Sequence, residues 1–208
     1  MARLLVKICG VTTPEDAALA AAAGADAIGV NFWPGSKRFV APDAARDVLA
    51  AIPAGVLKVG VFVDAPADDV EHQIGELGLD RVQLHGDEAP AHFGRLDARL
   101  IRVVRVRDQA SFESEAGWSP ALWLYDAFVD GFGGGGVAAP WPLIAAQARR
   151  PFLLAGGLTP ENVAAAITAT KPNGVDVASG VESSPRRKDP AKVAAFIAAA
   201  RGDRTSSP

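Results

Sequence analysis

The sequence predicts an α/β protein, a single-domain (β/α)8 TIM barrel, and three observations lead to this fold class. Short apolar, β-branched runs alternate with longer Ala-rich amphipathic runs along all 208 residues. Eight strand-like runs can be counted, and a strand–helix unit repeated eight times in roughly 200 residues is typical of a compact barrel. Most of the runs are almost continuously apolar, as strands buried on both faces of a parallel sheet are. The main alternative, an open doubly wound sheet, usually has fewer strands at this length.

The predicted elements follow one another without a linker or a shift in composition. The strands are "LLVKIC", "AIGVNF", "LKVGVFV", "RVQLHG", "RLIRVVRV", "ALWLYDAF", "PFLLAGG" and "GVDVASG". Prolines and acidic residues signal helix starts at Thr13 and Pro14, Pro42 and Asp43, Thr159 and Pro160, and Asp189 and Pro190. A further helix, containing "AQARR", has to end before Pro151. Residues 1–208 therefore form one predicted domain, with residues 202–208 as a frayed tail.

Composition excludes several classes of protein. Apolar residues make up 49% of the chain and charged residues 22%, which is a globular rather than a disordered composition. The formal net charge of -3 offers no basic face to nucleic acid or to an anionic membrane. No segment reaches the ~20 apolar residues of a membrane span, and the first residues lack the apolar core of a signal peptide. Cys9 is the only cysteine, so no internal disulfide can form and a cytoplasmic location is expected.

The ends of the predicted strands supply the candidate site residues, because chemistry in a (β/α)8 barrel takes place at the C-terminal ends of the strands. Polar residues and glycines at these ends are Cys9, Asn31, Asp64, His85, Asp126, Gly156, Gly157, Ser179 and Gly180. A lone cysteine is more often a core residue than a catalytic one, although the position of Cys9 favours a role. Asp126 is either a general acid or a turn cap, and His85 either positions a substrate or packs the rim.

Two glycine turns predict a phosphate site. Gly156 and Gly157 follow the seventh strand, and Ser179 and Gly180 follow the eighth. Glycines allow backbone N–H groups to approach an anion closely, and barrels often bind phosphate after these two strands. Arg38, in the loop after the second strand, is either a surface residue or a bidentate partner for a substrate carboxylate.

Two other patterns are set aside. The G-x-G-x-x-G spacing at residues 131–136 lies in the wrong unit of the chain for a dinucleotide site, and a glycine-rich mobile loop is the better interpretation. The three histidines and the single cysteine are not spaced as metal ligands, so no metal is expected.

Several motifs in this order resemble the phosphoribosylanthranilate isomerase family over nearly the whole chain. They are "VKICGVTTPEDA", "GVNFWPGSKRFV", "VGVFVD", "VQLHGDE", "LYDAFVDGFGGGGVAAPW", "LAGGLTPENV" and "GVDVASGVESSPRRKDPAKV". The chain departs from the family pattern in one loop, where Gly135 replaces a hydroxyl residue and Ala139 and Pro140 replace Phe and Asp or Asn. We expect this departure to affect the ordering of the loop and to leave Asp126 untouched.

The resemblance implies a cofactor-free Amadori rearrangement of N-(5'-phosphoribosyl)anthranilate in tryptophan biosynthesis. Cys9 would be the general base and Asp126 the general acid, while Arg38 would meet the anthranilate carboxylate. His85 and Asp176 are assigned to substrate positioning. A thiol with an ordinary pKa of ~8.5 needs that pKa lowered to act as a base at neutral pH. The expected partner is a phosphorylated small molecule, and the protein would be a monomer or a homodimer.

Other functions remain open at the level of the sequence. An aminoimidazole-ribotide isomerase would be expected to have aspartate in place of Cys9, and indole-glycerol-phosphate synthase would need a lysine-rich site. Lys7 lies inside its predicted strand and is given no role. A barrel that binds phosphosugars without turning them over is the alternative from a different class, and the presence of both Cys9 and Asp126 argues against it.

Overall fold

The computed structural model describes residues 3–127 and 139–202 and contains a closed barrel of eight parallel strands. The strands, in barrel order, are β1 Leu5–Cys9, β2 Ala27–Asn31, β3 Leu57–Phe62, β4 Arg81–Leu84, β5 Leu100–Val106, β6 Leu122–Ala127, β7 Phe152–Leu154 and β8 Gly174–Val177. The barrel closes where β8 pairs with β1, in a register that places Leu5 beside Gly174 and Ile8 beside Val177. The predicted fold class is confirmed, and each predicted strand is present.

The connections between strands are less regular than the sequence predicts. The α-helices of the described residues are α1 Pro14–Ala22, α2 Pro42–Ala50, α3 Ala67–Leu77, α4 Trp141–Gln147, α5 Val163–Thr170 and α6 Pro190–Arg201. Between β4 and β6 the connections hold 3-10 helices, at Pro90–His92, Gly94–Arg99 and Gln109–Glu115. Pro90 and Gly94 interrupt the first connection, and the second is confined between Asp108 and the positive φ of Gly117. Neither connection contains an α-helix.

The helix starts follow the capping signals of the sequence, with one shift. The Thr13 hydroxyl accepts a hydrogen bond from the Asp16 N–H at 3.2 Å, and Pro14 opens α1. Helix α5 begins at Val163 rather than directly after Pro160, because residues 157–162 form a separate turn. In the parts of the chain that the structure describes, no helix is long and apolar enough to cross a membrane.

The alternation of side chains along the strands determines which residues reach the barrel interior. Val6 and Ile8 of β1 pack in the large cluster between sheet and helices, whereas Leu5 packs against a second cluster that includes Ala27, Val59, Leu124 and Leu153. Lys7 and Cys9 share the face of Leu5, so they point into the barrel. By the same alternation Gln83, Asp126 and Asp176 are interior residues, because their neighbours on β4, β6 and β8 pack on the helix side.

A short antiparallel ribbon lies between β8 and α6 and is not predicted from the sequence. Its strands are β9 Glu182–Ser184 and β10 Arg187–Lys188, and Lys188 pairs with Glu182. The carbonyl of Arg186, a residue with a positive φ of 73°, accepts a hydrogen bond from the Thr12 hydroxyl at 2.9 Å. The ribbon is thereby connected to the loop that follows β1.

Candidate active site

The candidate catalytic residues lie at the C-terminal end of the barrel. Cys9 is the last residue of β1, Asp126 is the penultimate residue of β6, and His85 directly follows β4. The glycine-rich stretch at residues 131–136 and the tail at residues 203–208 lie outside the described residues. Among residues 3–127 and 139–202, no cluster of His, Cys, Asp and Glu side chains is arranged to hold a metal ion.

Cys9 shares the barrel interior with a buried ion pair. The Lys7 side chain is completely buried, and its Nζ lies 2.8 Å from Oδ1 of Asp176. A Cβ atom added to Gly29 of β2 would lie 2.9 Å from the Cys9 Sγ and 3.1 Å from the Lys7 Nζ, so both groups face this glycine. The sequence assigned no role to Lys7. The feature of the sequence that could have pointed to Lys7 is its place as a cation two residues before Cys9 in an otherwise apolar strand.

The electrostatics of Cys9 differ from the expectation of a lowered pKa. Burial raises the pKa of the Cys9 thiol, Asp176 raises it further, and Lys7 and Lys188 act in the opposite direction. For Lys7, burial alone would lower the pKa, but Asp176 and Cys9 raise it above its ordinary value, so the amine is held as an ammonium. The protein without ligand therefore favours the thiol form of Cys9.

Asp126 has His85 as its neighbour across the mouth of the barrel. The His85 Nε2 lies 3.4 Å from the Asp126 Oδ2, and the Gln83 Nε2 lies 3.1 Å from the His85 Nδ1. An amide nitrogen only donates, so the Nδ1 atom accepts and the neutral ring carries its proton on Nε2, facing the carboxylate. Gln83 is 1% exposed, and this buried polar residue two positions before His85 was missed in the sequence.

Gly156 packs closely against the end of β6, at Asp126 and Ala127. Its φ is +87°, and a Cβ atom at this position would lie 2.9 Å from the Asp126 Oδ1. The same Cβ atom would lie 2.5 Å from the backbone nitrogen of Ala127 and 2.8 Å from its Cβ, so a side chain here would clash with β6 itself as well as with the carboxylate. Gly156 is therefore required by this close packing against β6, and its predicted role in phosphate binding, like that of Gly157, stays a prediction.

The turns after β7 and β8 touch each other, as a shared anion site requires. A Cβ atom on Gly180 would overlap the carbonyl oxygen of Leu158, so the backbones are in close contact there. Asn162 stabilises the turn after β7 with two hydrogen bonds. Its Oδ1 accepts from the Thr159 N–H at 2.8 Å, and its Nδ2 donates to the Gly157 carbonyl at 2.9 Å. Ser179 and Gly180 lie in the 3-10 turn Ser179–Val181.

Arg38 is already paired, which neither alternative from the sequence anticipated. Its Nε and Nη2 donate to the two carboxylate oxygens of Glu182, each at 2.7 Å. Lys188 Nζ also donates to Glu182, at 3.2 Å, and to the carbonyl of Ala178 at 2.9 Å. The hydrogen bonds to Glu182 raise the pKa of Arg38. Burial acts to raise the pKa of Glu182, but Arg38 and Lys188 together outweigh burial and lower that pKa below its ordinary value. Among the described residues, Arg38 Nη1 makes no hydrogen bond.

Comparison with known proteins agrees with the resemblance seen in the motifs. Residues 6–199 match the family model of N-(5'-phosphoribosyl)anthranilate (PRA) isomerase. The N-(5'-phosphoribosyl)anthranilate isomerase of Geotalea uraniireducens is 45% identical over 199 residues, which cover 95% of this chain and 98% of that protein.

Solved structures agree in fold as well. A crystal structure of phosphoribosyl anthranilate isomerase from Thermotoga maritima has a TM-score of 0.89 and 37% identity, covering 96% of this chain and 99% of that one. A phosphoribosyl anthranilate isomerase in complex with reduced 1-(o-carboxyphenylamino)-1-deoxyribulose 5-phosphate has a TM-score of 0.85 and 36% identity, with the same coverage. With its barrel, its motifs and a family model matched over nearly its full length, the chain belongs to the N-(5'-phosphoribosyl)anthranilate isomerase family.

Proposed function

We propose that this chain catalyses the Amadori rearrangement of N-(5'-phosphoribosyl)anthranilate to 1-(2-carboxyphenylamino)-1-deoxyribulose 5-phosphate, an aldose–ketose isomerisation in tryptophan biosynthesis. The observation that carries the proposal is the placement of Cys9 on β1 and Asp126 on β6, both facing the interior at the same end of the barrel. A thiol and a carboxyl group there supply the base and the acid that this rearrangement needs.

Asp126 starts the reaction as general acid. Its proton goes to the ring oxygen of the ribose, the bond between C1' and that oxygen breaks, and the lone pair of the anthranilate nitrogen forms an iminium at C1'. The carboxylate left on Asp126 faces the Nε2–H of His85, 3.4 Å away in the protein without ligand. A slight approach of the two groups gives a hydrogen bond that stabilises the carboxylate.

Cys9 completes the reaction as general base. The thiolate takes the proton from C2', and the electron pair of that bond moves to the cationic iminium to give a neutral enolamine. Tautomerisation then makes C2' a ketone and protonates C1'. One carbon is oxidised and its neighbour is reduced by the same two electrons, so the reaction balances without an external oxidant or reductant.

The charge of the iminium bears on the state of Cys9. Burial raises the pKa of the thiol in the protein alone. A cation formed next to Cys9 favours the thiolate, since an opposite charge at close range stabilises the ionised form. The base is therefore formed most readily at the stage of the reaction that needs it.

The remaining site residues orient the substrate. The anthranilate carboxylate lies against Arg38, and the phosphate lies between the turns of Gly157 and of Ser179 and Gly180. His85 positions the reacting sugar beside Asp126. The oligomeric state stays a prediction of monomer or homodimer, and we place the protein in the cytoplasm on the basis of its lone cysteine and its phosphorylated substrate.

A turnover assay tests this function directly. Purified protein is mixed with N-(5'-phosphoribosyl)anthranilate generated in situ, and the loss of its anthranilate fluorescence is followed. We expect turnover by the wild type and a loss of ~10²–10⁴-fold in kcat for both Cys9→Ser and Asp126→Asn, because each removes one proton transfer. Circular dichroism serves as the control for the folding of both variants. Binding without turnover by the wild type would instead support the phosphosugar-binding alternative, and near-normal kcat in either folded variant would contradict the assigned roles.

A further inference from the structure

The buried ion pair between Lys7 and Asp176 is a feature that the proposed mechanism does not use. The Lys7 side chain is completely buried and that of Asp176 is 9% exposed. A lysine is almost never fully buried unless it is paired, and a buried ion pair is no better for stability than well-packed apolar side chains. The pair therefore calls for an explanation other than the stability of the barrel.

The position of the pair indicates what it acts on. Lys7 and Cys9 lie two residues apart on the interior face of β1, and both approach Gly29 on the neighbouring strand. Asp176, which reaches Lys7 from β8 on the other side, lies close enough to Cys9 to affect it electrostatically. The thiol thus has a cation and an anion of the same pair beside it.

We propose that Lys7 and Asp176 are positioning residues which together set the ionisation of Cys9, with Lys7 stabilising the thiolate and Asp176 opposing it. This inference rests on the proposed function, in which Cys9 is the base. It also gives Asp176 a task other than direct contact with the substrate, since its Oδ1 is engaged by Lys7 at 2.8 Å.

The other charged groups around Cys9 leave one positive charge unpaired, which fits this proposal. Lys188 of β10 and Arg38 of the loop after β2 also interact with Cys9, and both are bound to Glu182. With Lys7 and Asp176, this set contains three cations and two carboxylates and carries a net charge of +1. A thiolate on Cys9 neutralises the set. Loss of the charge on Lys7 should therefore favour the thiol form of Cys9, and loss of the charge on Asp176 should favour the thiolate.

The two members of the pair predict opposite results on removal. Lys7→Met leaves Cys9 beside an unpaired carboxylate, which disfavours the thiolate. Asp176→Asn keeps the shape of the side chain and leaves Cys9 beside an unopposed ammonium, which favours the thiolate. A purely structural role for the pair would not produce shifts of opposite sign.

The experiment is a pH titration of thiol alkylation in full-length protein without substrate. Cys9 is the only cysteine, so the rate of iodoacetamide alkylation, normalised to its plateau at high pH, reports on this thiol alone. We expect the midpoint to rise by about one pH unit in Lys7→Met and to fall by about one unit in Asp176→Asn. Lys171→Met, an exposed residue at the end of α5, serves as the matched control and should leave the midpoint unchanged.

The outcomes separate this inference from the proposed function. Unchanged midpoints, or shifts of the same sign in both variants, would overturn the inference even if the wild type isomerises its substrate. Opposite shifts in a protein without turnover would uphold the inference about Cys9 and reject the function. If Lys7→Met does not fold, Asp176→Asn decides alone, because its midpoint has to fall. In active protein the lower limb of the pH profile of kcat/KM should move with the alkylation midpoint.

Discussion

At the scale of single residues, Arg38 meets its proposed ligand with part of its hydrogen-bonding capacity already used by Glu182. Arg38 gives one edge of its guanidinium to Glu182, with two hydrogen bonds of 2.7 Å. The Nη1 group, on the other edge of the guanidinium, is held in a fixed direction by that bidentate contact. A preoriented donor loses little side-chain entropy when a carboxylate binds, so Arg38 should contribute mainly to affinity.

We therefore predict that Arg38→Ala raises KM more than it lowers kcat. Its proposed partner is remote from the reacting carbons, so the contact is equally strong in the ground state and the transition state. Steady-state kinetics with N-(5'-phosphoribosyl)anthranilate provide the measurement. An analogue without the carboxylate should bind wild type and variant alike, and a large loss for that analogue would show that Arg38 has another role.

Gln83 gives a second prediction at this scale, because it fixes the tautomer of the residue next to the candidate acid. Gln83→Met removes the donor to the His85 Nδ1 and frees the ring to place its proton on either nitrogen. We expect kcat to fall by about tenfold with KM little changed, since only a step of the reaction is affected. In a His85→Ala background the same change should have no further effect on kcat. Equal losses in both backgrounds would mean that Gln83 acts independently of His85.

At the scale of elements, the two turns after β7 and β8 form a unit that Asn162 holds in shape. Gly157 has a φ of +62°, so any side chain there strains the backbone as well as crowding a ligand, and a glycine substitution cannot distinguish the two effects. Asn162 gives a clearer test, because its side chain acts on the turn through the Gly157 carbonyl and the Thr159 N–H.

We predict that Asn162→Ala weakens binding of a phosphorylated product analogue by about tenfold, the loss expected when a hydrogen bond that orders a binding turn is removed. Binding of the same analogue without its phosphate should hardly change. Calorimetric titration of both compounds into wild type and variant tests this. Equal weakening of the two would assign Asn162, and the turn with it, to the fold rather than to the phosphate.

The ribbon of β9 and β10 supplies a second element-level test. Glu182 holds Arg38 and Lys188 at once, and Glu182→Gln removes the negative charge while keeping a polar side chain of the same size. We expect KM to rise several-fold as the guanidinium loses its fixed direction, with the loss confined to substrates that carry the carboxylate. Ser183→Ala, exposed on the same strand, is the control that should leave KM unchanged. A rise in KM for analogues without the carboxylate would contradict a role through Arg38.

At the scale of the whole molecule, local sequence patterns predicted the strands but not the ion pairs between residues that are distant in the sequence. Apolar runs located all eight barrel strands, and the strand-end rule then placed Cys9 and Asp126 at the C-terminal ends of their strands, because both features depend on neighbours in the chain. The partners of Lys7 and Arg38 are 169 and 144 residues away, at Asp176 and Glu182. No local pattern specifies such pairs, since they exist only once the barrel closes between β8 and β1. The ribbon and the 3-10 connections were missed because their short segments carry too little periodicity.

A buried cluster around Tyr125 ties β6 to the segments on either side of it. The hydroxyl donates to Glu115 Oε1 at 2.7 Å and accepts from the Arg149 N–H at 2.8 Å. The ring is fully buried and packs edge to face against Phe152, with 5.3 Å between the ring centroids. Burial, supported by the hydrogen bond to Glu115, raises the pKa of Tyr125 above its ordinary value. The folded protein therefore binds the phenolic proton more tightly than the unfolded chain does.

This difference in affinity predicts how the whole molecule responds to alkali. The contribution is fully present below the unfolded tyrosine pKa of ~10 and decreases as pH rises beyond it, by roughly 1.4 kcal/mol per pH unit. Because Tyr125 is the only tyrosine, tyrosinate absorbance reports on it alone and should appear together with the loss of far-ultraviolet circular dichroism. Tyr125→Phe should be less stable at neutral pH by about 1–3 kcal/mol, because Glu115 Oε1 and the Arg149 N–H lose their partner, although Glu115 Oε2 keeps its ion pair with Arg149. Its free energy of unfolding should also decrease less steeply above pH ~10 than that of the wild type. Tyrosinate formed while the circular dichroism remains native would show that the hydroxyl ionises within the folded barrel, and the link between this proton and global stability would then be wrong.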